Sequence, residues 1–163
     1  MPAELQTPAR PAGPPLSDLY AIDEVAWLDA MAGLATAGRA GDLDLDHLAE
    51  YLSDMARSDR KGVKSHLTVL LMHLLKWDYQ PDQRGTSWLV TIRTQRHSLA
   101  DDFEDSRTLR RHAEAVLIDA YHRARGDAAA ETGLPVATFP ENCPYTLDQA
   151  LAAPLTGGPT AAE

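Results

Sequence analysis

The run LTVLLMHLLKW, residues 67 to 77, is apolar on nearly every side of a helix, and its reading decides the fold. A helix without a polar face must be surrounded by other elements, so this run marks the core. The apolar seam through it runs Val63, Leu67, Leu70, Leu71, Leu74 and Leu75. Before the polar stretch RSDRKG at 57 to 62, the same pattern runs through Leu45, Leu48, Leu52 and Met55. Leu52 and Val63 stand eleven residues apart. That is three turns at about 3.67 residues per turn, so one helix keeps both halves on one face. Ser58 offers a second cap in between, and Gly62 weakens the middle by about 1 kcal/mol relative to Ala. A single long helix near 44 to 79 with a weak centre is favoured, and two helices recapped at Ser58 stay open.

Outward from it, Ile22, Val25 or Ala26, Trp27, Met31 and Leu34 recur at helical steps. Asp23 and Glu24 sit near the positive end of that helix dipole, and Gly38 and Gly41 end the helix. Asp42 and Asp44 offer N-cap oxygens to the long helix. Downstream, YQPDQRG is a break, and Thr86 or Ser87 opens a helix carrying Trp88, Leu89, Ile92, Leu99 and Phe103. Ser106 caps the next, with Leu109, Ala113, Val116, Leu117, Ala120, Tyr121 and Ala124 on its buried side and Gly133 at its end. A proline-punctuated stretch, LPVATFPENCPYT, leads to a turn capped by Thr146. Helices are therefore expected near 22 to 37, 44 to 79, 87 to 104 and 107 to 132. Alternating strand patterns are nearly absent, so the predicted fold is all-α. It is an antiparallel bundle of four to five helices with a short irregular C-terminal segment. Residues 1 to 17 read as a disordered lead-in, 18 to 152 as one domain and 153 to 163 as a disordered tail.

Composition narrows the classes. The 163 residues carry a net charge of -9, with 44% hydrophobic residues and one cysteine. An acidic chain is no broadly basic nucleic-acid coat. No segment approaches the roughly 18 apolar residues of a membrane span, and MPAELQTPARPAGPP lacks an apolar signal core, so a soluble cytoplasmic protein without membrane contact is expected. Cys143 alone makes no internal disulfide and no paired-thiolate zinc site.

Several strings carry a resemblance: LYAIDEVAWLDA (19 to 30), LDLDHLAEYLSDMARSDR (43 to 60), HLTVLLMHLLKWDYQP (66 to 81), SWLVTIRTQR (87 to 96) and ETGLPVATFPENCPYTLDQAL (131 to 151). In this order and spacing the chain resembles the bacterial family known as domain of unknown function 29. The resemblance implies an all-helical bacterial domain and brings no activity or catalytic residues with it.

The residues themselves bear on four kinds of chemistry. His66 and His73 share a helical face, and His47, Glu50 and Asp54 lie at i, i+3 and i+7, which permits a metal-dependent bundle enzyme. The carboxylate bundles need Glu-x-x-His strings, and this chain has none. CPYT before LDQAL resembles the active turn of a glutaredoxin, yet Thr146 stands where a second cysteine belongs, so packing is the plainer role for Cys143. Hydrolytic and phosphate-binding motifs are missing, so no catalytic residue, cofactor or metal is expected. Charge is uneven, however. Residues 57 to 96 hold eight Lys and Arg against three acids, a balance of +5 that leaves -14 elsewhere. Lys76, Trp77, Tyr79, Arg84, Trp88, Arg93 and Arg96 are accordingly the candidate binding residues. Two occupants compete for them: a protein partner or second copy, which is favoured, and a short RNA or single-stranded DNA.

Overall fold

The computed structural model describes residues 14–156. The sequence-predicted lead-in and tail therefore fall largely outside the described residues. The fold is all-α, a helical bundle without a strand among the described residues. Its helices are α1 (Leu16–Ile22), α2 (Glu24–Thr36), α3 (Leu45–Tyr79), α4 (Thr86–Asp105), α5 (Arg107–Thr132) and α6 (Leu147–Ala152). Contacts within the chain group it into two units, one ending at Met55 and the other starting at Ala56. Helix α3 runs through that boundary without interruption, and the polar stretch 57 to 62 follows it directly.

The first unit is built on capping and aromatic contact. Asp23 ends α1 and caps α2, its carboxylate accepting from Ala26 N at 3.0 Å. Asp44 does the same for α3, accepting from His47 N at 3.5 Å. Trp27 is fully buried and Met31 nearly so. Their helix and α1 lie on the His47 and Tyr51 side of α3: Tyr20 stacks 4.5 Å from the His47 ring, and Trp27 packs 5.8 Å from Tyr51. Leu45 and Leu52 point about 100° or more away from that side. Leu45 and Leu52, placed on the apolar face by their spacing, are accordingly 61% and 55% exposed, and Met55, placed there too, is 49% exposed. Ile22 and Val25 also face solvent. Helix α1 also starts at Leu16, inside the stretch read as lead-in, and no helix runs unbroken from 22.

In the second unit the pattern holds. Val63, Leu67, Leu70, Leu71 and Leu75 are fully buried, with Ile92 and Leu99 of α4, Ala113, Ala120, Tyr121, Ala124 and Ala128 of α5, and Ala150 of α6. Ser106 alone separates α4 from α5 and caps the latter, accepting from Leu109 N at 3.3 Å. Gly133 ends α5 at φ 70°, a left-handed conformation that glycine adopts without a Cβ penalty. Thr86 is the first residue of α4 rather than its cap, which is Gly85 in extended conformation.

The irregular C-terminal stretch is held by donors from the helices. Thr146 and Gln149 form a reciprocal capping box on α6. Order extends past residue 152, where the sequence pattern ends: Leu155 packs on the core, and Thr156 O accepts from Trp77 Nε1 at 3.0 Å.

Candidate functional site

The basic and aromatic residues between 57 and 96 do not converge on an open groove. Trp77 is fully buried and spends its N–H on Thr156. Arg84 Nε donates to Trp77 O at 2.7 Å, and its guanidinium lies 5.5 Å from the Trp77 ring. Arg96 donates from Nε to Ala150 O and from Nη2 to Ala153 O, both at 2.9 Å. Burial pulls its pKa down from the usual arginine value. Lys76 is buried, pairs with Glu131, and stands 4.5 Å over the half-buried Trp88 ring. Tyr79 packs edge-on against Phe139 at 5.6 Å. Of the seven, Arg93 is the exposed cation on α4.

Trp77, Tyr79 and Arg96 instead hold the C-terminal segment, while Arg84 bonds the end of α3 and Lys76 pairs with α5. Tyr145 adds a 2.6 Å bond to Asp78, Tyr121 donates to Pro140 O at 2.6 Å, Arg110 reaches Asp148 at 2.7 Å, and Arg125 donates to Phe139 O at 3.1 Å. The carbonyls of an irregular segment need donors once water is excluded, and Trp, Tyr and Arg on the neighbouring helices supply them. The sequence carries a trace of this. Four prolines between 135 and 154 break regular backbone pairing there, while bulky donors cluster on the preceding helices.

The histidines are likewise engaged locally. His66 Nδ1 is 2.7 Å from Gln95 Oε1, and His73 Nδ1 is 2.9 Å from Val69 O. Burial holds the His73 pKa below the usual imidazole value, so its neutral form prevails near pH 7. His47 Nδ1 lies 2.7 Å from the Asp44 carboxylate, which also accepts from Trp27 Nε1 at 3.3 Å. Burial alone raises the Asp44 pKa, but these hydrogen bonds outweigh it and keep Asp44 below the usual range. Among the described residues no group of three His, Cys, Asp or Glu side chains is placed to hold a metal ion. Cys143 is half-buried, and burial pushes its thiol pKa up, opposite to the shift that activates a redox cysteine.

Among the described residues, two surfaces that a ligand could reach stand out. One is a shallow cleft of about 280 Å³ between α3 and α5, lined by Lys61, Lys64, Ser65, Thr68, Val69, Arg123 and Asp127. Two of its three lining cations face carboxylates, Lys64 at 3.9 Å from Asp119 and Arg123 at 3.9 Å from Asp127, which offsets most of its positive charge. The other is the N-terminal half of α3. Leu45, Ala49, Leu52 and Ala56 follow one another at steps of four, three and four, all exposed, with Met55 beside them. Every residue from Leu52 to Lys61 is exposed. Sequence reasoning placed these leucines on the apolar face and so missed them as a surface.

An all-α bundle of this kind defines a class of architecture and no chemistry. The family described as "Domain of unknown function DUF29" matches residues 19–154, and the chain belongs to it. No curated protein and no solved structure matches the chain. No described helix is long and apolar enough to cross a membrane.

Proposed function

We propose that this chain is a non-enzymatic protein-interaction module whose docking face is the N-terminal half of α3. One observation carries the reading: a stripe that is fully buried from Val63 onward is left half open at Leu45, Leu52 and Met55. Exposed leucines scattered singly are ordinary, whereas apolar side chains repeating on one helical face mark a contact surface. Helix-in-groove and helix-on-helix recognition use such spacing. Local engagement of His66 and His73 and the protonated Cys143 thiol favour binding over catalysis. The nucleic-acid alternative through 57 to 96 is weaker, because Trp77 is enclosed and offers no stacking face to a base.

The test is site-specific photocrosslinking in the cells that make the protein. A photoreactive residue replacing Leu52 should yield one discrete heavier species, lost when Leu45 and Met55 are both changed to Ser. The same group replacing the exposed Arg111 of α5 should yield none. Equal adducts at both positions, or none at Leu52, would overturn the reading.

A further inference from the structure

The segment after α6 sits on the bundle as a bound peptide sits on a receptor. Helix α6 is anchored by its own capping box and by the buried Leu147 and Ala150. Beyond it, residues 153 to 156 form an extended strap. Ala153 has φ -59° and ψ 135°, the conformation that Pro154 favours in the residue before it. Arg96 Nη2 donates to Ala153 O at 2.9 Å, Trp77 Nε1 donates to Thr156 O at 3.0 Å, and Leu155 packs on the core. Pro154 and Thr156 face solvent. Among the described residues, neither Leu155 N nor Thr156 N donates to a backbone carbonyl. A segment held by so few attachments opens locally while the bundle stays folded.

Opening leaves a guanidinium, an apolar socket and an indole N–H, set to meet the carbonyls and the one leucine of an extended segment. The strap itself shows what fits there. Both polar contacts go to main-chain carbonyls, so another extended segment with an apolar residue after proline makes them equally well. A second copy's strap offers the same contacts without the tether, and so does not displace the resident one. A foreign segment prevails by supplying what the strap lacks. Arg96 donates to the neutral carbonyls of Ala150 and Ala153 and pairs with no carboxylate among the described residues, whereas a carboxylate forms stronger, charge-assisted bonds to a guanidinium. We propose that residues 153 to 156 are an autoinhibitory strap over a peptide site. The partner that the strap excludes is an extended Pro-Leu segment of another protein, with an acidic residue facing Arg96. Neither Leu45, Leu52 nor Met55 takes part in it.

Nuclear magnetic resonance of the full chain reads the opening at one atom, the Trp77 indole N–H. Its protection from hydrogen exchange should be about 100-fold lower than that of the Leu71 amide, although both residues are fully buried. In full-length Leu155→Ser, exchange of that indole should speed up about tenfold further while the Leu71 amide keeps its rate. Three peptides are then titrated into this variant and into the unaltered chain: APLTGGPTAAE, which is residues 153 to 163, the same with Ala153→Glu, and the same with Leu155→Ser. The Ala153→Glu peptide should shift the Trp77 indole signal and bind the variant about tenfold more tightly than the native peptide does. It should bind the unaltered chain about tenfold less tightly than the variant, because there the resident strap competes. The Leu155→Ser peptide should leave the indole signal in place, and Arg96→Gln in the variant should erase the preference for Glu. Circular dichroism confirms that each variant stays folded. Equal protection of the Trp77 indole and the Leu71 amide would mean that the strap opens only with the whole bundle, which overturns the proposal. So would an indole signal that none of the peptides moves, or that the Leu155→Ser peptide moves as readily as the others. Equal binding of the native and Ala153→Glu peptides would overturn the acidic partner and make a second copy's strap the occupant.

Discussion

The two halves of α3 belong to one helix and carry one stripe, yet they meet opposite fates. From Val63 to Trp77 the stripe is enclosed by α4, α5 and the C-terminal segment; from Leu45 to Met55 it stands open. Helical period is the same in both. The difference lies in what packs alongside: α1 and α2 settle on the His47 and Tyr51 side, drawn by aromatic stacking and the Trp27 to Asp44 hydrogen bond. Periodicity thus reveals which residues share a face, while burial depends on where the neighbours dock.

The sharpest way to break this comparison is to truncate one leucine in each half. Leu71→Ala should lower unfolding free energy by about 2 to 5 kcal/mol, because its site is fully enclosed. Leu52→Ala should cost less than about 0.5 kcal/mol, as at other surface positions. Similar losses in chemical denaturation would show that the halves are not different. Next in size is the clamp on the enclosed half. Arg96→Ala strips the Ala150 and Ala153 carbonyls of their donor and should cost about 1 to 3 kcal/mol. Hydrogen exchange should speed up first at residues 150 to 156, with α3 amides between 63 and 77 following less.

Between the halves stands Gly62, a helix-interior glycine with nothing within 4 Å of where a Cβ would sit. Gly62→Ala should stabilise the chain by about 0.5 to 1 kcal/mol, measured by thermal melting. A loss instead would mean that the junction needs glycine for a reason other than propensity. Smaller still is the pH effect of His73. Burial lowers its pKa in the folded chain, so the unfolded state binds the proton more readily. Its contribution is fully present above about 6.5, the usual imidazole value, and is lost as pH falls from there through the folded pKa. His73→Gln should flatten the stability profile over that window.

Much of the fold was legible beforehand. The length of α3, the caps at Ser106 and Thr146 and the end of α5 at Gly133 all follow from local chemistry that needs no tertiary information. The candidate site was not legible in the same way. A Trp N–H or an Arg guanidinium donates equally well to a ligand or to a backbone carbonyl, and the choice made by Trp77 and Arg96 depends on the path of the irregular segment after Pro135. That path has no periodicity to read. The open stripe was hidden for the converse reason, since Leu45 and Leu52 obey the same spacing as the buried Leu70 and Leu74. Their exposure follows from α1 and α2 choosing the aromatic side.

Thiol accessibility tests the central claim most directly. In a Cys143→Ser background, a cysteine at position 52 should react with maleimide in the purified chain as fast as one placed at the exposed position 111. In cells that make the protein, position 52 should become shielded while position 111 stays reactive. Slow labelling of position 52 in the purified chain would mean that the protein covers its own stripe, and equal labelling of both positions in cells would mean that nothing docks there.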